Sequence, residues 1–93
     1  MVIGILIVRL YLPNSDSLKA KRRVILSLKA RLKNKFNISI AEIGLLDSWK
    51  EAKIGVSCIS NSGRHIDREL SYIVERIKSY PNLELVDYST EKI

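Results

Sequence analysis

Hydrophobic residues recur along this 93-residue chain with a period that changes between two and 3.6, in six segments ordered strand, helix, strand, strand, helix, strand. Each segment has an apolar side that must be covered, so the order itself restricts how the layers stack. Val2 to Leu12 alternates and is rich in Ile, Val and Leu on both sides, which predicts a long central strand. Pro13-Asn14-Ser15-Asp16-Ser17 supplies a turn in which Ser15 or Ser17 caps a helix running to about Asn34. Ile38–Ile43 and Ala52–Ile59 read as two strands joined by Gly44 to Glu51. Ser60-Asn61-Ser62-Gly63 opens a second helix on which Ile66, Leu70, Ile73, Val74 and Ile77 recur, and Pro81-Asn82 stops it. Leu83–Tyr88 makes a fourth strand, with the last five residues expected to fray.

This predicts one α+β domain spanning residues 1–93, of ferredoxin-like β-α-β-β-α-β order, in which right-handed crossovers place both helices on one face of a four-stranded antiparallel sheet. Phase divides the first strand into Val2, Leu6, Val8, Leu10 and Leu12 facing the helices, and Ile3, Ile5, Ile7, Arg9 and Tyr11 facing away. The outward set is unusually apolar. With Ile59, Val86 and Tyr88 it forms an expected interface, and a homodimer made sheet to sheet or edge to edge is the natural cover. Direct base stacking on this face is disfavoured, because the third strand offers no aromatic ring.

On the first helix, Leu18, Val24, Ile25, Leu28 and Leu32 share the core side, while Lys19, Arg22, Arg23, Lys29 and Lys33 gather opposite, around Leu26. Eight basic residues fall between positions 19 and 35 with no acid among them. Residues 1–46 hold nine Lys/Arg against Asp16 and Glu42, a balance of +7, whereas residues 47–93 come to −1. A polyanion is the expected partner, with Lys19, Lys21, Arg22, Arg23, Lys29 and Lys33 as the contacts to phosphate. An acidic protein partner is the alternative, since Lys and Arg answer either pattern of charge. A solvated face that merely aids solubility is the bland reading.

Leu12-Pro13, Ser17-Leu18-Lys19, Lys21-Arg22-Arg23, Asn37, Ala41-Glu42, Asp47, Trp49, Ala52, Gly55 and Ser60-Asn61, in this order and spacing, resemble the YlxP-like family of small bacterial proteins. The resemblance covers nearly the whole chain. It implies a ferredoxin-like fold and a gene neighbourhood of translation initiation and ribosome maturation, and it assigns no catalytic or binding residues. Structured RNA or a ribosomal particle is therefore the expected target.

No catalytic constellation is legible. Acylphosphatases share the fold, but their phosphate cradle needs a glycine-rich loop after the first strand leading to an Arg, and an Asn on the second strand. Here the loop is Pro13 to Ser17, and the second strand shows Ser39, Ala41 and Glu42. His65, the only histidine, is one turn from Glu69 and lacks a neighbouring nucleophile. Cys58 is the only cysteine, which excludes an internal disulfide and leaves no zinc spacing, so a reducing, cytoplasmic home is expected without metal or cofactor. Arg9 interrupts the apolar start far short of a bilayer span, and no membrane association is expected. Trp49, in the loop with Asp47, is read as a lid on the end of the core, with an exposed anchor for a partner as the alternative.

Overall fold

Six elements follow in the expected order in the computed structural model, which describes residues 1–93: β1 (Val2–Tyr11), α1 (Leu18–Lys35), β2 (Ser39–Gly44), β3 (Glu51–Ser60), α2 (Gly63–Lys78) and β4 (Glu84–Lys92). The strands form one antiparallel sheet in the order β2-β3-β1-β4, the ferredoxin-like arrangement. β1 lies at its centre and pairs with β3 from Val2–Ser60 to Tyr11–Glu51 without interruption.

Ser17 caps α1, its side chain accepting from the Ala20 amide at 3.0 Å, while the Ser15 hydroxyl donates to the Ser17 carbonyl at 3.1 Å. Ser62 caps α2 in the same way, accepting from the His65 amide at 3.2 Å. Both caps satisfy amides that the helix itself leaves without partners. The core is a single layer of 18 buried residues between helices and sheet. Leu6, Val8, Leu10 and Leu12 on β1, Ile54 and Val56 on β3, and the whole predicted stripe of α2 belong to it. Gly4 lets α2 come close, because a Cβ there would run into Ile66 Cγ2.

Two departures from expectation concern β4. Its last residues do not fray but continue the ladder: Lys92 pairs with Gly4, and Ile3 and Ile93 exchange both backbone hydrogen bonds at 2.9 Å. Between Arg9 and Leu10 the β1–β4 register shifts by a bulge, which changes the face on which later side chains emerge. Tyr88 therefore pairs with Val8 and sits on the helix side, in a hollow lined by Leu70 and Val74 of α2, so its assignment to the outer face is corrected.

Candidate nucleic-acid interface

α1 is the element on which the charge is concentrated, and its cap and core stripe fix how that charge is presented. Ile25, Leu28 and Leu32 are buried, with Leu18 and Val24 half-buried beside them. Lys19, Arg22, Arg23 and Lys33 are exposed and Lys29 is half-buried, with Leu26 exposed among them. None of these five cations is in an ion pair.

Lys21 overturns its expectation as a phosphate contact. The residue is 0% exposed, the Nζ donating to the carbonyls of Leu45 at 2.8 Å and Glu51 at 3.1 Å, with the Leu46 carbonyl at 3.4 Å. The Glu42 carboxylate lies 2.9 Å from the same nitrogen but off the hydrogen-bond direction, so that contact is one of charge on charge. The reason is helical phase: residues 18, 21, 25, 28 and 32 are spaced three and four apart, and Lys21 stands on the core stripe. A buried ammonium is tolerable only with such partners, and it uses them to tie the β2–β3 loop to α1.

That loop is also held by Lys50, whose Nζ donates to the carbonyls of Pro13 at 2.9 Å and Ser15 at 3.0 Å. It carries exposed Leu46 and Trp49, with Leu45 at a left-handed φ of 58°. Trp49 is 56% exposed, so it is not a lid on the core.

On the outer face of the sheet, Ile3, Ile5, Ile7 and Tyr11 are half-buried and Ile59 is 58% exposed. Val86 is exposed at the β4 bulge, between Leu85 beside Leu10 and Asp87 beside Arg9. Two further isoleucines join this face. Ile43, two residues on from Ala41 and in the same outward phase, lies over Gly55 beside a second bulge between Glu42 and Gly44, and Ile93 pairs with Ile3. Alternation from Ala41 gives the outward phase of Ile43, whereas the polar run before Ile93 concealed its ladder. One end of the face is polar, with Arg9 and Glu51 paired at 2.9 Å.

His65 Nε2 lies 3.8 Å from Glu69 Oε2, a loose contact on the outside of α2. Cys58 is buried; burial first, and then the Glu69 carboxylate, push its thiol up from the ordinary range, against a backbone hydrogen bond from Gly4. A thiol held neutral in this way is a poor nucleophile. No group of three or more His, Cys, Asp or Glu side chains is assembled as metal ligands, and no helix is long and apolar enough to cross a membrane.

The family model described as "Protein of unknown function (DUF503)" matches residues 3–90. The chain belongs to the DUF503 family. A relative in this sense is "Uncharacterized protein YlxP" of Bacillus subtilis (strain 168), 37% identical over 78 residues that cover 84% of this chain and 85% of the relative. The resemblance drawn from Leu12-Pro13 through Ser60-Asn61 is thus confirmed. Among solved structures, the de novo designed protein Foldit4 superposes with a TM-score of 0.56 at 14% identity, covering 100% of this chain and 97% of that one. A hydantoinase/carbamoylase family amidase from Burkholderia ambifaria gives 0.55 at 11% identity over 99% of this chain, which spans only 27% of the amidase. At such identities the likeness is one of fold alone. DUF503 as a family description names no activity, and the α1 cations remain the chemically most distinctive feature of this member.

Proposed function

We propose that this DUF503 protein is a cytoplasmic accessory factor, linked to translation or ribosome maturation, that binds structured RNA or a ribosomal particle through the solvent-facing side of α1. One observation carries the reading: seven of the eight basic residues between positions 19 and 35 have no acidic partner. Of the eight Lys and Arg residues elsewhere, three have such a partner, Arg9 on Glu51, Lys92 on Asp67 and Lys78 beside Glu75, against one of eight on this stretch. A row of uncompensated cations on a rigid helix suits successive phosphates, whose condensed counterions are released on binding.

The test is binding to structured RNA across a salt series, with Arg22, Arg23 and Lys29 replaced together by Glu. The expected outcome is weaker binding at low salt and a flatter dependence on salt, by up to about 0.9 in the logarithmic slope for each phosphate contact removed. Unchanged affinity and slope would overturn the proposal. Cross-linking in cells separates the alternative, since recovery of an acidic protein and not RNA on α1 would replace the reading.

A second use of the molecule is supported by the outer face of the sheet. Ile5, Ile7, Ile43 and Ala41 border a shallow, mostly apolar hollow over Gly55 of about 360 Å³. Pairing with a second copy would take this surface out of water, leaving α1 free on the opposite side of each subunit.

A further inference from the structure

α1 and α2 run antiparallel across the sheet, and the groove between their second halves has a chemistry that the solvent-facing side of α1 does not share. At 100° per residue, Arg31 and Lys35 are turned about 120° and 160° around the axis from Lys19, away from the exposed row and towards α2. There they line a hollow of about 280 Å³ with Arg76 of α2. Tyr80, bonded to the Ser27 hydroxyl, Pro81 and the edge of Phe36 form its accessible apolar side, over buried Leu28 and Leu32.

None of Arg31, Lys35 and Arg76 is in an ion pair, although they come from two elements and converge on one space. Glu75, on the adjoining hollow, has Lys78 at 3.5 Å. Lys35 and Arg76 also lie in the last turns of their helices, where a cation offsets the helix dipole. That accounts for charge at two positions. It does not account for Arg31, which precedes the last turn, or for the convergence of all three on a space with an apolar side.

Three unpaired cations beside an apolar surface match an anion that carries a hydrophobic appendage. The hollow falls just under the roughly 300–1,000 Å³ of sites for drug-sized ligands, so it admits a single unit of such a compound. We propose that this groove is a nucleotide site, with the phosphate between Arg31, Lys35 and Arg76 and the sugar or base against Tyr80, Pro81 and the edge of Phe36. Guanidinium groups suit this role because their planar donors fork onto phosphate oxygens. The ligand is either a free mononucleotide or one unit of a strand. In the second form the inference rests on the RNA-binding reading and specifies a contact that the exposed side of α1 alone would miss.

The experiment is a titration of the full chain with uridine 5′-monophosphate, uridine, inorganic phosphate and a short single-stranded oligonucleotide, followed by NMR of backbone and arginine side-chain resonances. Uridine 5′-monophosphate is expected to shift Arg31, Lys35 and Arg76, uridine to shift none of them, and inorganic phosphate to bind more weakly at the same place. Arg76→Gln should weaken the nucleotide about tenfold, as loss of a charge-assisted hydrogen bond implies. Arg64→Gln, exposed in the first turn of α2 and outside both the groove and the basic side of α1, should leave it unchanged. A stronger response to the oligonucleotide than to the mononucleotide identifies a strand as the source, and the reverse identifies a free nucleotide.

Shifts spread evenly over Lys19, Arg22 and Lys33, or nucleotide affinity indifferent to both Arg76→Gln and Arg31→Gln, would overturn the groove. If structured RNA binds in a manner sensitive to Arg22 and Arg23 while the groove stays silent, the proposed function stands and this inference fails. If the nucleotide binds in the groove and structured RNA does not bind at all, the inference stands as a free-nucleotide site and the proposed function fails.

Discussion

Lys21 is the residue whose charge is used inside the molecule. Three carbonyls and a carboxylate surround its ammonium, each within 3.4 Å, and truncation would leave the Glu42 charge at 17% side-chain exposure with nothing opposite. Breaking one side of a buried pair costs about 3–5 kcal/mol, and each kcal/mol moves the midpoint of a small domain by roughly 4–8 °C. Lys21→Ala is thus expected to lower the thermal midpoint by more than about 12 °C, whereas Lys19→Ala on the exposed side should change stability by less than about 0.5 kcal/mol. Equal midpoints for the two variants would show that the internal contacts contribute nothing. The expectation of a phosphate contact passed over the spacing of Lys21 from Leu18, Ile25 and Leu28, which puts it on the core stripe, and its acceptors left no local signal at all. Leu45 and Glu51 are 24 and 30 residues away, and no local pattern specifies that their carbonyls meet one ammonium.

At the level of the elements, periodicity located every strand and both helices because each has an apolar side packed on the same core. It lost accuracy at the polar end of β4 and where the chain departs from strict alternation. A bulge in β4 moved Tyr88 to the helix side through one extra residue that leaves no mark on composition. The seating of α2 on β1 gives a sharper test of the packing. Gly4 faces Ile66 so closely that Gly4→Ala must push the helix outward or force Ile66 from its rotamer, at a cost of about 1–3 kcal/mol. Chemical denaturation should show that loss with the slope against denaturant unchanged; a variant as stable as the parent would mean that the two elements can separate freely.

The whole molecule has two unlike sides: helices carrying unpaired cations, and a sheet whose outer surface holds Ile3, Ile5, Ile7, Ile43, Ile59 and Ile93. The first was legible from charge counting, and most of the second from phase. The groove between the helices was not, because Arg76 and Arg31 are 45 positions apart and meet only once both helices are laid on the sheet. If the sheet side is a self-interface, sedimentation at micromolar concentration should give a dimer, and Ile5→Lys with Ile7→Glu should give a folded monomer that keeps its affinity for RNA. A parent protein that sediments as a monomer under these conditions would remove the self-interface while leaving the cationic side in place.

The contact from Lys21 to the β2–β3 loop has a mechanical result for any ligand. A cylinder tethered by its own buried spoke cannot roll on the layer beneath it, so the angular position of every outward guanidinium is settled before an encounter. Less freedom then remains to be lost on docking than for a basic tail that must first coil. Cutting the spoke should therefore raise the entropic penalty of association even in a variant whose outward charges are all intact.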